Sequence, residues 1–302
     1  MKLKNLFIIV ITTVSIITAD TKINLHGHIP NGITETGLQR EYHRIASILK
    51  LSDNLNQNAI KIFYYSDKEE KILGVRLPEW GGGGAIGQDT IIIPVYKRYA
   101  FYPDDYLRIT LHELVHIALA RAYQNIRIPR WFHEGMAMTL SGELSFDEGT
   151  LLSKAIITGS LLPFDSIEYV NRFNHYKAQI AYSQSHFAIQ YMTKLYGYDM
   201  LPELLDSARV YRKFDTACMK VFGLTVDEFE TIVKNQMIIK YRYAFLFSDY
   251  STFWIIASFL FITGFIITLH RNRKRRIAME TEEKLSDSEP DQDEGSTLSG
   301  SK

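Results

Sequence analysis

His112-Glu113-Leu114-Val115-His116, with Glu134 further along in Trp131-Phe132-His133-Glu134-Gly135, is the stretch that decides how this chain is read. Helical positions four apart share a face, so both imidazoles can meet one metal ion while Glu113 points toward the next coordination position. The neighbours Leu111, Leu114, Val115, Ile117, Ala118 and Leu119 describe a helix buried on most sides. Unpaired histidines and a carboxylate are costly in such a place, which argues against two ordinary core histidines and for a hydrolytic zinc site.

Zinc takes nitrogen and oxygen ligands, and a catalytic site keeps three protein ligands plus one water. His112 and His116 supply two ligands in this reading and Glu134 the third. Glu113 would take a proton from the zinc-bound water as it attacks a carbonyl, then pass that proton to the leaving amine.

Working outward, Pro103-Asp104-Asp105 opens a helix with acidic residues at its positive end, expected to run to near Tyr123. A second helix starts near Pro129-Arg130 and carries Glu134, so a helix-loop-helix can bring the three ligands together. Upstream, Glu41 to Leu51 has helical spacing, and Ile60 to Tyr65, Ile72 to Leu77 and Thr90 to Pro94 read as strands of a small sheet. Gly81-Gly82-Gly83-Gly84 leads into Ile91-Ile92-Ile93-Pro94 rather than a helix with Lys and Ser/Thr, so it reads as a hairpin or cleft-edge loop, not a phosphate cradle. Leu151 to Tyr243 is largely helical, with a capping box at Thr225-Val226-Asp227-Glu228.

Residues 90 to 235 resemble the gluzincin metallopeptidases, especially the peptidase MA-like group. The resemblance rests on His112-Glu113-Leu114-Val115-His116 and Pro129-Arg130-Trp131-Phe132-His133-Glu134-Gly135-Met136-Ala137. Ala181-Tyr182-Ser183-Gln184-Ser185 and Phe222-Gly223-Leu224-Thr225-Val226-Asp227-Glu228-Phe229-Glu230 are weaker matches. It implies Zn2+ as cofactor and a thermolysin-like α+β fold: a small N-terminal mixed sheet packed on the active-site helix, then a mainly helical lobe. It also implies a substrate lying as an extra strand along a sheet edge, here Thr90 to Pro94. One departure is Met138, where many thermolysin-like enzymes carry an acidic residue four positions after the glutamate ligand. Whatever orients the histidines must come from elsewhere.

Gluzincins commonly use a Tyr or His to stabilise the oxyanion, and the resemblance makes Tyr182 the candidate, with His186 one turn away as the weaker one. His133 projects about 100° from Glu134 on the same helix, so it reads as cleft lining rather than a ligand. His26 and His28 flank Gly27 and read as solvated loop histidines rather than a second metal site.

The flanks set the compartment. Lys2 and Lys4, an apolar stretch from Leu6 to Ile17 and the small residue Ala19 describe a signal peptide over residues 1–19. Residues 251–270, centred on the uncharged run Phe253 to Leu269, are long enough to cross a bilayer. Arg271, Arg273, Lys274, Arg275 and Arg276 follow and keep the C-terminal side in the cytoplasm. The expected organisation is a peptidase domain over 20–250 outside the cytoplasm, a transmembrane helix, and a disordered cytoplasmic tail over 271–302, acidic and Ser-rich from Glu280 to Lys302. From Thr225 to Ser251 the chain reaches at most ~40 Å if helical, which keeps the domain near the bilayer. Cys218 is the single cysteine, so no intrachain disulfide forms.

Acidic and basic residues balance, giving no sign of a nucleic-acid partner. The expected partners are a peptide or protein substrate and the lipid bilayer. The expected activity is zinc-dependent hydrolysis of peptide bonds in extracytoplasmic or envelope proteins. The alternative is a non-catalytic peptide-binding receptor or assembly factor on the same fold, in which Glu113 would have no work as a general base.

Overall fold

A computed structural model of the protein describes residues 21–51, 58–66, 77, 81–95, 103–142, 148–244 and 250–286. The expected signal peptide and the expected strand Ile72 to Leu77, apart from Leu77 itself, lie outside these residues. The chain divides into two compact units, Met1–Ala244 and Phe245–Lys302.

The first unit opens with β1 (Ile23–Gly27), α1 (Glu35–Ile48) and β2 (Ile60–Tyr65). Helix α1 starts earlier than Glu41 because Thr34 caps it, its side chain accepting from the Gly37 N–H, with Glu35 in the first turn. Strands β3 (Gly84–Ile86) and β4 (Thr90–Pro94) complete a four-stranded sheet in the order β1-β2-β4-β3. The β1–β2 and β2–β4 pairs are parallel and β3–β4 is antiparallel, so the sheet is mixed.

This order corrects the expected substrate edge. Thr90 to Pro94 is an inner strand, paired on one side with β2 and on the other with β3. Among the described residues the edge beside it is Gly84–Ile86, folded back through Gly87, whose φ of 61° suits a tight turn. Ile91, Ile92 and Ile93 are all buried, as a strand covered on both faces requires.

The motif helix α2 (Pro103–Ala122) packs on this sheet. Tyr64 in β2 lies 2.9 Å from the Thr110 hydroxyl of α2, and Thr110 in turn donates to the Tyr106 carbonyl at 2.7 Å. Burial pushes the Tyr64 phenol up to about 12, the neighbouring Thr110 hydroxyl only partly offsetting it. At the other end of α2 the buried Arg121 donates to the carbonyls of Gln88 (2.6 Å) and Asn58 (2.8 Å). Those two bonds tie the motif helix to the β3–β4 turn and to the start of β2.

The remainder of the unit is helical: α3 (Arg130–Ser141), α4 (Glu148–Ile157), α5 (Phe164–Ile167), α6 (His175–Tyr196), α7 (Met200–Tyr211), α8 (Phe214–Phe222) and α9 (Val226–Tyr241). The capping box at α9 is present, with Thr225 and Glu228 each satisfying the other's backbone N–H. Trp131, at the start of α3, stacks on Phe164 at 4.4 Å and meets Phe214 and Phe229 edge-on or tilted near 6 Å, fixing α3 to the helical lobe. The architecture is α+β: a small mixed sheet followed by a mainly helical lobe.

The second unit is dominated by α10 (Tyr250–Ser286). Its stretch Phe253–Lys284 is long and apolar enough to cross a membrane by length and composition. The helix runs on through the basic cluster to Ser286, a stretch with neither Gly nor Pro to stop it, and the rest of the expected disordered tail lies outside the described residues.

Candidate metal centre

Helix α2 carries His112 and His116 one turn apart, and the short connection to α3 turns the chain back so that Glu134 meets both. The two imidazole Nε2 atoms are 3.2 Å apart, and the Glu134 Oε2 lies 3.3 Å from that of His112 and 3.5 Å from that of His116. Four-coordinate zinc with bonds near 2.0–2.1 Å separates its ligand atoms by roughly 3.3–3.4 Å, so these three atoms occupy a face of the right size.

The Glu134 carboxylate supplies an independent test of fit. It is 1% exposed, yet neither oxygen has a hydrogen-bond partner of good geometry. The approaches of both histidines and of Arg130 are close without forming hydrogen bonds. Buried carboxylates are rarely left in that state, and a cation among the three donors would complete Oε2. The residues present fit zinc.

Arg130 stands four positions before Glu134, with its Nε 2.6 Å from Oε1. Burial alone would raise the Glu134 carboxyl, but Arg130, then His116 and the contacts of both histidines, hold it well below the usual carboxylate range. Burial works against the Arg130 charge too, but Glu134, Tyr182 and Glu113 outweigh it and raise the guanidinium. A basic partner before the glutamate thus stands where the acidic one after it is missing; Met138 is simply buried. Arg130 is absent from the set of residues that the sequence singles out, although its spacing to Glu134 is a signal the sequence carries.

Glu113 is buried beside the start of the edge strand. A Cβ added at Gly83 would lie 3.1 Å from its Cγ and 3.2 Å from its Oε1, so the glycine run comes down directly over this side chain. Tyr182 on α6 meets His112 edge-on, ring centroids 6.4 Å apart. His133 lies 5.8 Å from His116, ring to ring, outside the three-residue cluster. Burial, with the charges of His116 and Arg130, pushes its imidazole down to about 3, so it is neutral.

His186 does not join this group. Its Nδ1 donates to Glu148 at 2.9 Å in the core and its Nε2 accepts from the half-buried Gln190 at 3.0 Å, so it ties α6 to α4. His26 belongs to β1 rather than a loop and stacks on Phe63 at 4.8 Å, while the His28 backbone N–H bonds to the Tyr64 carbonyl. Among the described residues neither takes part in a metal-ligand cluster.

Residues 43–239 match the family model of the peptidase MA superfamily. The chain belongs to that superfamily. One similar protein of this kind is the "Uncharacterized protein YhcO" of Bacillus subtilis (strain 168), 26% identical over 196 residues, which are 60% of this chain and 58% of that protein. The chain therefore spans little more than half the length of that relative. No solved structure matches the chain. The chain is thus a peptidase MA-fold protein with a candidate metal-binding cluster at His112, His116 and Glu134.

Proposed function

We propose that the chain is a membrane-anchored, zinc-dependent peptidase whose substrates are peptides or proteins outside the cytoplasm. The observation that carries this is the triangle of His112, His116 and Glu134 donor atoms around a buried carboxylate lacking hydrogen bonds, with Glu113 next to His112 on the same helix.

His112, His116 and Glu134 would hold the metal. Zinc, when bound, supplies a Lewis acid that polarises the scissile carbonyl and acidifies water. Glu113 would accept the proton of the attacking water and deliver it to the leaving amine, a general base and then a general acid. Tyr182, beside His112, would donate from its hydroxyl to the oxygen that becomes negative as the bond is cut. Among the described residues β3 is the outer strand on that side, and its edge would receive the substrate as an additional strand, its backbone pairing with Gly84–Ile86.

The charge pattern around α10 supports anchorage with the first unit outside. An uncharged run is followed by five Lys/Arg within residues 271–276, and basic residues stay cytoplasmic. Glu113→Gln in the full-length protein tests the chemistry: bound zinc should be kept and hydrolysis of a denatured protein substrate lost. A variant with undiminished biological activity would favour a binding role over catalysis.

A further inference from the structure

The Glu134 carboxylate is divided between two neighbours. Oε2 faces the Nε2 atoms of both histidines, at 3.3 and 3.5 Å, whereas Oε1 is 2.6 Å from the Nε of Arg130. Both Oε1 and that Nε are buried, and among the described residues neither has a partner of hydrogen-bond geometry, so what joins them is opposite charge at close range. Pulling Oε1 toward the histidines would part it from the guanidinium and leave that charge without its close counter-charge, which is unfavourable.

The division is built into the helix. Arg130 and Glu134 are four residues apart on α3 and therefore on one face. The start of α3 is itself held in place, with the Arg130 backbone N–H donating to Glu168 at 3.3 Å and Arg127 pairing with the same carboxylate at 3.1 Å. Trp131, packed on Phe164, fixes the next residue. The backbone that carries the pair is thereby fixed.

We infer that Arg130 is a positioning residue that restricts Glu134 to a single ligand oxygen, Oε2, and so keeps a coordination position free for water. A carboxylate can grip a metal through one oxygen or two, and the second oxygen would occupy part of the space a catalytic site leaves open. Arg130 takes that second oxygen. This role rests on the zinc-site reading, and it acts through Glu134 rather than on the substrate.

Cobalt(II) substitution of the full-length, detergent-solubilised protein tests it without reference to activity, because visible absorption weakens as cobalt goes from four- to five-coordinate. Wild type should bind one cobalt and show the strong bands of a four-coordinate site. Arg130→Met should still bind cobalt but lose intensity as Oε1 is released to the metal, and Arg130→Lys should recover part of it. Unchanged four-coordinate spectra in both variants would overturn the inference while leaving the metal site standing. Should Arg130→Met not fold, Arg130→Lys decides alone: its bands should be weaker than those of wild type, because an ammonium holds Oε1 less firmly than the guanidinium, and wild-type intensity would overturn the inference. Failure of wild type to bind cobalt would overturn the site reading and this inference with it.

Discussion

Gly135 lies so close to the Ser185 carbonyl that an added Cβ would collide with it, and would also come 2.5 Å from Cγ1 of Ile189. This contact lets α6 press against α3 immediately after Glu134, the proposed ligand, and brings Tyr182, one turn before Ser185, beside His112. Gly135→Ala therefore sets two effects against each other. Alanine in a helix interior gains about 1 kcal/mol over glycine, whereas overpacking against backbone costs about 1–3 kcal/mol or more. The collision should win. Thermal unfolding should show a lower Tm, by about 2–4 °C per kcal/mol lost, with weakened zinc binding. A rise in Tm would show that the helices can separate without cost.

Gly83→Ala probes the other wall of the site. The nearest atoms are the flexible side chains of Glu113 and Ile109, at 3.1–3.2 Å, so the strain is modest and falls on the residue proposed as general base. Hydrolysis should drop by about tenfold or more, as expected for a displaced base, while zinc content stays at the wild-type level. Loss of zinc together with activity would instead place the damage in the fold.

Acid should weaken the metal-free protein in a defined window. The His133 imidazole titrates near 6.5 when unfolded but is pushed down to about 3 in the fold, so between those values only the unfolded chain gains the proton. Stability therefore falls as pH drops from about 6.5 toward 3, with a slope of at most about 1.4 kcal/mol per pH unit from this group. The depressed Glu134 carboxyl adds stability that is present above its unfolded value and is lost as pH falls below it, at the acid end of the range. Chemical denaturation of the apoprotein at pH 6.5 and 4.5 should show this loss. His133→Gln should flatten it over that interval; an equally steep profile in the variant would assign the loss to other groups.

Much of the site is legible in the sequence because its signals are local. Pro103-Asp104-Asp105 and Pro129-Arg130 mark helix starts by rules that need no tertiary context, and α2 and α3 begin there. Thr225 and Glu228 likewise sit three residues apart in the pattern that caps α9. The edge strand is not legible: Gly84–Ile86 is three residues long and begins with glycine, so alternation never develops, and only pairing with β4 makes it a strand. The Arg130–Glu134 pair escapes notice in the sequence because pairs at that spacing belong mostly to helix surfaces; here the surrounding helices bury the carboxylate. His186 fits a core or a catalytic position equally well by its neighbours in sequence, and only the distant Glu148, accepting from its Nδ1, places it in the core.

Topology has its own test. With residues 20–250 outside and the tail within the cytoplasm, a fluorescent protein fused after Lys302 should fold and fluoresce, and protease added to intact cells should degrade the first unit but spare the fusion. Protection of both portions would contradict the proposed orientation.

The most direct measurement is the zinc content of the purified full-length protein beside that of His112→Ala. Close to one zinc per chain is expected in wild type and a large loss in the variant, because one corner of the His112–His116–Glu134 triangle has gone. Equal zinc in the two proteins, or none in either, would contradict the assignment of this triangle as the metal site.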